Sequence, residues 1–409
     1  MREYKIYGGV PLEGRVQLGG AKNGALPLLF AALLAEGESV FYNMPDIGDV
    51  RLAGELLCRM GARVVWRDPH TVSVCRADFS PDSPDARLTG KIRASSYLLG
   101  LSLGGWGRAA APATGGCDFG NRPLNCHYDL FHALGATGEA ALSAPRGLHG
   151  GTYTFPFVSV GATVNALLVA ARLEETVELF GCATEPHVVD LERYLLLLGV
   201  RIEGVGTPHL TLRGSKHLVG HAYGVAPDDI EAGTYLLAAC ATRGRVELVS
   251  VTPRVLAPLL AVLEEGGCRV TCGRDSVLAD AGGWVGGTVT ETAPFPGFPT
   301  DLQPPLVAAL CFGTRAATVR ERVWANRFRY TAALEKMGAR MDICGDTLTV
   351  FPTEMHPASM EATDLRGGAA MVIAALAARG RSILEGVELI ERGYENLPRK
   401  LRGLGAEIL

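Results

Sequence analysis

A cysteine inside a glycine-rich segment is the residue of this chain whose surroundings most suggest chemistry. Cys117 lies within residues 114–123, with glycines on both sides and Arg122 a few positions later. A nearby guanidinium favours the thiolate over the thiol, and the thiolate is the reactive form of cysteine. The segment therefore predicts either a hinged loop that carries a reactive thiol or a surface turn whose cysteine has no role.

A second candidate for chemistry lies near the N-terminus. Lys22 and Asn23 stand among glycines and alanines, directly before an apolar run that continues to Leu34. The N-terminus of a helix attracts anions, because its first N–H groups point outward and the helix dipole adds positive potential there. This segment predicts a binding site for a phosphate or a carboxylate.

Composition narrows the class of protein. The chain has 409 residues, of which 48% are hydrophobic and 20% charged, and its formal net charge is −4. These values are typical of a globular protein of two domains with a large core. The slight excess of acid argues against a nucleic-acid partner, so an anionic substrate would need a local cluster of cations. No apolar run approaches the length of a membrane span and no signal peptide is recognisable, so we expect a cytoplasmic protein.

The ten cysteines do not form a metal-binding pattern. They are scattered through apolar segments, where free cysteine usually behaves as a small core residue. The one close pair, Cys268 and Cys272, has no second pair and no histidine beside it. We therefore expect no metal and no disulfide.

A helix followed by a strand recurs about every 70 residues, and each copy has a glycine where the helix ends. These glycines are Gly61, Gly135, Gly199, Gly267, Gly338 and Gly405. Each copy also contains an earlier helix that is apolar on nearly every face, which predicts burial of that helix under a sheet. Units of this size are too large for a solenoid, so we predict two bodies of three repeats each.

Six separated motifs, in order along the chain, resemble those of the enolpyruvyl transferases, and the resemblance extends from Tyr4 to Leu409. The motifs are residues 19–27, 91–95, 114–123, 298–302, 363–367 and 391–394. The resemblance implies an α/β (α+β) fold of two similar domains. Each would contain three βαβαββ-type units with buried helices inside sheets, in an inside-out, barrel-like arrangement. It also implies two crossings, which gives domain I as residues 1–20 and 228–409, and domain II as residues 21–227 with a lid loop at 112–123.

The resemblance implies transfer of the enolpyruvyl group of phosphoenolpyruvate to the 3-hydroxyl of UDP-N-acetylglucosamine, with release of phosphate through a tetrahedral intermediate. It implies small-molecule substrates, no cofactor, and no nucleic-acid or membrane partner. Two alternatives stay open: a different acceptor such as a uridine nucleotide, or a non-catalytic relative that binds a nucleotide sugar. The related RNA 3'-phosphate cyclases share the repeats but would be expected to have a basic surface.

The resemblance also assigns catalytic roles. Cys117 would act as the general acid and could form an adduct with phosphoenolpyruvate, while Asp301 would remove the proton of the sugar hydroxyl. Lys22 and Arg392 would hold the anionic groups of phosphoenolpyruvate, together with Arg93 and Arg122. Thr300 is expected to cap the following helix, although Asp301 could also serve as the cap.

The remaining predicted contacts serve substrate binding. Arg122 and Pro123 would lie near the base of the nucleotide, and the N–H groups of residues 159–161 could face its diphosphate, although those residues could equally be a simple helix start. Asp364 and Arg366 are interpreted as a structural salt bridge that shapes a loop at the reacting carbons. The full predicted binding set is Asn23, Arg93, Arg122, Pro123, Leu124, His127, Ser159, Val160, Gly161, Glu185, Thr300, Val323, Asp364 and Arg366.

Four positions depart from the usual pattern of the family. Phe157 stands where a lysine is usual and Asp229 where an arginine is usual, so two positive charges on the nucleotide side are missing. Ala325 replaces a frequent glutamate, and Gly48 replaces a basic residue that some members carry. The first two changes predict weaker diphosphate binding or another acceptor, and none of the four touches the transfer chemistry.

Overall fold

The computed structural model describes residues 2–82, 84–110, 115, 124–139 and 141–409. The chain divides into two compact units. The first unit comprises Met1–Gly19 and Pro227–Leu409, and the second comprises Gly20–Ala226. Three predicted site residues, Cys117, Arg122 and Pro123, lie outside the described residues, as does the predicted lid loop apart from Gly115.

The strands are short. In chain order they are β1 (Glu3–Gly8), β2 (Glu13–Gln17), β3 (Glu38–Tyr42), β4 (Arg63–Asp68), β5 (Thr71–Cys75), β6 (Arg108–Ala110), β7 (Ala141–Ser143), β8 (Gly151–Thr154), β9 (Val177–Phe180), β10 (Arg201–Glu203), β11 (His209–Arg213), β12 (Ala222–Gly224), β13 (Arg245–Val249), β14 (Arg269–Cys272), β15 (Ser276–Asp280), β16 (Val289–Glu291), β17 (Ala317–Arg320), β18 (Arg340–Cys344), β19 (Thr347–Phe351), β20 (Ser359–Glu361), β21 (Gly380–Glu385) and β22 (Glu407–Ile408).

The helices alternate with these strands. The α-helices are α1 (Lys22–Ala31), α2 (Gly48–Arg59), α3 (Ala86–Thr89), α4 (Tyr97–Trp106), α5 (Asn125–Ala133), α6 (Val160–Ala170), α7 (Pro186–Leu198), α8 (Asp229–Thr242), α9 (Ala257–Glu265), α10 (Gln303–Leu310), α11 (Thr331–Lys336), α12 (Leu365–Ala377), α13 (Glu388–Glu391) and α14 (Leu397–Gly403). Short 3₁₀ turns cover Ala32–Leu34, Arg93–Ser96, Pro253–Leu256, Thr300–Leu302 and Arg327–Tyr330.

The three four-stranded sheets of the first unit share one topology. Their strand orders are β2-β13-β15-β14, β16-β17-β19-β18 and β20-β21-β1-β22. In each sheet the first two strands are parallel and the others pair antiparallel. A parallel pair needs a crossover connection. A buried helix supplies it between β16 and β17 and between β20 and β21, whereas the connection from β2 to β13 runs through the second unit and then α8.

The two strands nearest the N-terminus complete sheets that are otherwise built from distant parts of the chain. β1 pairs with both β21 and β22, and Lys5 exchanges two backbone hydrogen bonds of 2.9 Å with Leu409. β2 pairs in parallel with β13. The first unit is therefore closed by strands that lie far apart in sequence.

The second unit repeats the same pattern. Two of its sheets have the orders β12-β3-β5-β4 and β8-β9-β11-β10, which match those of the first unit position by position. Among the described residues its third sheet contains β6 and β7. The predicted α/β fold of two similar domains with βαβαββ-type repeats is confirmed.

One helix of each repeat is buried on nearly every face, as the apolar sequence predicted. In the first unit these helices are α8, α10 and α12, and in the second they are α1, α4 and α6. The packing is close: a Cβ added at Gly233 of α8 would come within 2.4 Å of the Leu302 side chain. These helices form the cores, and their N-termini carry most of the predicted site residues.

The glycine that ends the second helix of each repeat adopts the left-handed conformation. The φ angles of the six repeat glycines lie between +91° and +111°, a region that glycine occupies without the penalty a Cβ would cause. The period read from the sequence therefore corresponds to a real turn, which sends the chain from helix to strand in every repeat.

Among the described residues, no helix is long and apolar enough to cross a membrane. Within the same residues, no group of three or more histidine, cysteine, aspartate or glutamate side chains is placed to hold a metal ion. The nine cysteines that the structure describes are free thiols.

Candidate active site

The carboxylate of Asp301 lies between two arginines in the first unit. Oδ1 accepts a hydrogen bond from Nη2 of Arg327 at 3.1 Å. Oδ2 accepts two, from Nε and Nη2 of Arg366 at 3.1 and 2.9 Å. The aspartate side chain is 31% exposed, whereas those of Arg327 and Arg366 are 1% and 4% exposed. Two buried guanidinium groups favour the ionised carboxylate and fix its orientation, while its exposed part can meet a ligand.

Thr300 does not cap a helix. Its hydroxyl donates to Oε2 of Glu321 at 2.9 Å, and no side chain caps the 3₁₀ turn or α10 that follow it. The other oxygen of Glu321 accepts the N–H groups of Val323 and Trp324 at 2.8 and 3.0 Å. The expected capping by Thr300 is therefore wrong, because its hydroxyl donates to the buried carboxylate of Glu321, the residue that follows β17. Glu321 joins Thr300 to Val323, two predicted binding residues.

Asp364 and Arg366 do not form the salt bridge suggested by their sequence. Oδ1 of Asp364 accepts the N–H groups of Arg366 and Gly367 at 3.0 and 3.1 Å, which makes Asp364 the N-cap of α12. The guanidinium of Arg366 turns instead to Asp301. The physical reason is local. A carboxylate at a helix start accepts the unpaired N–H groups of the first turn, so the guanidinium of Arg366 can pair with Asp301 instead.

The guanidinium of Arg366 also contacts the aromatic ring of Tyr394. Its Cζ lies 5.2 Å from the ring centroid of Tyr394, a distance suited to a cation–π contact. The hydroxyl of Tyr394 is 2.8 Å from Oγ1 of Thr234 on α8. Arg392 is partly buried and stands two residues before Tyr394, at the end of α13. Arg392, a predicted substrate-binding cation, therefore lies in the same turn as Tyr394, whose ring contacts Arg366.

Asp229 begins α8 at the same end of the first unit. Asp228 caps that helix by accepting the N–H groups of Ile230 and Glu231. Burial, together with the charge of Asp228, raises the pKa of Asp229 to about 7, although Arg366 lowers it in part. Asp301 also acts on this carboxyl and raises its pKa. Asp229 is therefore a titratable carboxyl within the electrostatic reach of the candidate base.

Lys22 is the first residue of α1 in the second unit. Its Nζ lies 2.8 Å from Oδ2 of Asp49, and the two side chains are 14% and 8% exposed. Asn23 follows on the same first turn and is partly buried. A cation at a helix N-terminus is unfavourable for the dipole, so the carboxylate of Asp49 offsets that cost and orients the lysine.

Arg93, His127 and Gly161 come together in the second unit. Burial, with the nearby charge of Arg93, lowers the pKa of His127 to about 4, so its imidazole is neutral at pH 7. Nε2 of His127 would lie 3.1 Å from a Cβ added at Gly161, and it has no hydrogen-bond partner among the described residues. Glycine at position 161 is what allows the imidazole to approach this closely.

The predicted segment 159–161 is the start of α6. Oγ of Ser159 accepts the N–H of Ala162 at 3.3 Å, so Ser159 is the N-cap. Val160 and Gly161 are the first helical residues and are partly buried. Leu124 and Glu185 occupy the corresponding positions before α5 and α7. These five predicted binding residues are thus helix-start residues, where outward N–H groups are available to anions.

The structure gathers the predicted residues into two sets, one in each unit. The first unit holds Thr300, Asp301, Val323, Asp364, Arg366 and Arg392, and the second holds Lys22, Asn23, Arg93, Leu124, His127, Ser159, Val160, Gly161 and Glu185. Sequence reasoning missed the groups that hold these residues in place: Arg327, Glu321, Tyr394 and Asp49. The Asn326-Arg327-Phe328 segment was the one available signal for Arg327.

Comparisons with known proteins agree over the whole chain. The model of the EPSP synthase (3-phosphoshikimate 1-carboxyvinyltransferase) family matches residues 6–401. UDP-N-acetylglucosamine 1-carboxyvinyltransferase 3 of Symbiobacterium thermophilum is 40% identical over 415 aligned residues, which cover 100% of this chain and 98% of that protein. UDP-N-acetylglucosamine 1-carboxyvinyltransferase of Halothermothrix orenii is 38% identical, with 100% and 99% covered.

Among solved structures, the enolpyruvyl transferase NikO from Streptomyces tendae superposes with a TM-score of 0.89 at 27% identity, covering 100% of this chain and 98% of that one. The chain therefore belongs to the EPSP synthase family of enolpyruvyl transferases.

Proposed function

We propose that this protein transfers the enolpyruvyl group of phosphoenolpyruvate to the 3-hydroxyl of UDP-N-acetylglucosamine and releases phosphate. The observation that carries the proposal is the pairing of Asp301 with Arg327 and Arg366, which fixes the orientation of a carboxylate that is still partly exposed to a ligand. Full-length relatives that carry the name of this activity support the choice of acceptor.

In the proposed reaction, Asp301 takes the proton of the acceptor hydroxyl, and the hydroxyl oxygen bonds to C2 of phosphoenolpyruvate. The C2–C3 double bond opens and C3 accepts a proton, for which we propose the thiol of Cys117 as donor. The tetrahedral intermediate then loses a proton from C3 and phosphate from C2, which restores the double bond. General acid–base catalysis by such groups contributes about 10²–10⁴-fold to the rate.

The anionic groups of phosphoenolpyruvate require several cations. We propose that Lys22 and Arg392 hold its phosphate and carboxylate, assisted by Arg93 and Arg122. Asp49 supports this role for Lys22, because a lysine already held at 2.8 Å loses less side-chain freedom when the ligand binds.

We propose that the start of α6 binds the phosphates of the nucleotide. Ser159 uses its hydroxyl on Ala162, which leaves the N–H groups of Val160 and Gly161 for an anion. The neutral imidazole of His127 adds a polar contact without a second positive charge. The remaining proposed contacts are Asn23, Pro123, Leu124, Glu185, Thr300, Val323, Asp364 and Arg366.

A uridine nucleotide remains the second candidate acceptor, because Phe157, which stands just before the proposed phosphate site at α6, supplies no positive charge there. With UDP-N-acetylglucosamine as acceptor, the protein would catalyse the first committed step of peptidoglycan synthesis and would work in the cytoplasm on small molecules.

The test is phosphate release by the purified full-length protein with phosphoenolpyruvate and a panel of acceptors. We expect release to require both substrates and to be fastest with UDP-N-acetylglucosamine. Faster release with uridine monophosphate, with an enolpyruvyl nucleotide found by mass spectrometry, would favour the second candidate. No turnover with any uridine nucleotide would leave a binding protein and contradict the proposal.

A further inference from the structure

Phe157 is a large aromatic side chain left in solvent beside the proposed phosphate site. It is 59% exposed, and the next residue, Val158, is 41% exposed. Single exposed apolar residues are common on protein surfaces and need no explanation by themselves. What distinguishes this pair is its position, since Ser159, the N-cap of α6, follows directly.

The start of α6 combines first-turn N–H groups with a buried polar atom that has no partner among the described residues. The side chain of Ser159 accepts the N–H of Ala162, and the N–H groups of Val160 and Gly161 belong to the first turn, which has no intrahelical acceptors for them. His127, only 3% exposed, reaches Gly161 with an Nε2 atom that has no partner within the described residues. A buried polar atom without a partner usually marks a position that a ligand or water fills.

We propose that Phe157 stacks on the nucleobase of the acceptor while the start of α6 holds the adjoining phosphate. The proposal rests on the proposed function, because it takes the acceptor to be a nucleotide. The chain from Phe157 to Ser159 spans at most about 7 Å, so the ring lies within reach of a base whose phosphate occupies the helix start. An aromatic face suits this task, because every base offers a flat face of its own.

An aromatic ring at position 157, where the family usually has a lysine, has a consequence for the specificity of the acceptor site. A phenylalanine contributes nothing to a phosphate, so its contact is the same for uridine, uridine monophosphate and the nucleotide sugar. Recognition by stacking is also insensitive to salt, in contrast to recognition by a cation. Phe157 thus recognises the nucleoside part of the ligand, while the start of α6 recognises its phosphate.

The experiment measures equilibrium binding of uridine and of UDP-N-acetylglucosamine to the full-length protein, to Phe157→Leu and to Phe157→Trp. Tyr42→Leu is the matched control, since Tyr42 is a 50% exposed aromatic residue in the same unit, at the end of β3. We expect Phe157→Leu to weaken binding of both ligands by about tenfold, Phe157→Trp to retain it, and Tyr42→Leu to change nothing. Since Phe157 is exposed, melting temperatures should stay equal.

Two results would overturn the inference: equal binding by wild type and Phe157→Leu, or no binding of uridine nucleotides to the wild type. Phosphate release by the wild type is measured in parallel. Turnover that is unchanged in Phe157→Leu, with unchanged binding, would refute the stacking and leave the proposed function standing. Binding that depends on Phe157 without any turnover would refute the function and leave the stacking.

Discussion

Arg366 directs both Nε and Nη2 to one oxygen of Asp301, at 3.1 and 2.9 Å, although the two residues lie 65 positions apart. The other carboxylate oxygen of Asp301 accepts a hydrogen bond from Arg327. The carboxylate is therefore held from both sides by side chains that are themselves almost completely buried. Burial of the arginines costs desolvation energy, which their hydrogen bonds to Asp301 offset in part.

Removal of the carboxylate should abolish most of the chemistry. Asp301→Asn keeps the size of the side chain but cannot accept a proton, so we expect kcat to fall by about 10²–10⁴-fold with little change in the Michaelis constants. Glu335→Gln, an exposed change on α11 of the same unit, should have no effect. Steady-state kinetics of both variants measure this, and a kcat for Asp301→Asn above about a tenth of wild type would contradict the role of base.

Asp229 should give the reaction a titration near neutrality. Its pKa is raised to about 7, mainly by burial and by Asp228, so it is neutral below that pH and ionises as the pH rises through it. The new negative charge near Asp301 disfavours an anionic acceptor, so kcat/KM for the acceptor should decline above about pH 7. Asp229→Asn should remove this decline. Profiles between about pH 6 and 9 that coincide for both proteins would disprove the prediction.

Fosfomycin, an epoxide mimic of phosphoenolpyruvate, should label Cys117 and spare the other nine cysteines. Cys58, Cys272 and Cys344 are exposed, but exposure alone does not supply an adjacent cation that stabilises the thiolate. Cys117→Asp should keep an acid in place, retain some transfer and lose the label. Peptide mass spectrometry locates the modification, and label on the exposed cysteines or none at all would argue against the site.

Glu192 should make the protein less stable at alkaline pH. It is fully buried, and burial raises its pKa to about 7 from a usual value of 4.5, although Gly206 donates to it at 2.8 Å. A raised carboxyl pKa favours folding at low pH, and that contribution is lost as the pH rises through 7. Glu192→Gln should therefore increase the free energy of unfolding by up to about 3 kcal/mol near pH 8.5.

The same variant should match wild type near pH 5, where the buried carboxyl is protonated and resembles the amide. Glu203→Gln, an exposed change on β10 of the same unit, serves as control at both pH values. Denaturant unfolding gives the free energies. A difference between Glu192→Gln and wild type that does not depend on pH would mean that packing, rather than charge, sets the effect.

The fold was predictable from sequence because its signals are local. A glycine at the end of a helix and an apolar helix before it recur in each repeat, and both depend on near neighbours along the chain. The left-handed φ angles of Gly61 and Gly405, at opposite ends of the chain, are nearly the same, at 95° and 92°. The repeat therefore contains most of the information that the fold needs.

The support of the site was not predictable in the same way, because it depends on contacts between repeats. Arg327 and Arg366 reach Asp301 from 26 and 65 residues away. The sequence suggests an ion pair between Asp364 and Arg366, whereas in the structure the carboxylate of Asp364 accepts N–H groups at the start of α12. Local spacing could nominate the charged groups, but the choice of partner follows from how the three buried helices begin at a common end.

β1 and β2 pair with strands that lie far along the chain. The first unit can therefore be completed only late in synthesis. β1 is made before its partners β21 and β22, and β2 is made before its partner β13. The second unit, by contrast, has all its strands once Ala226 has emerged. Domains fold as units during synthesis, so the middle of this polypeptide folds before its beginning. Until β21 and β13 have been made, β1 and β2 present unpaired edges that can pair with other chains.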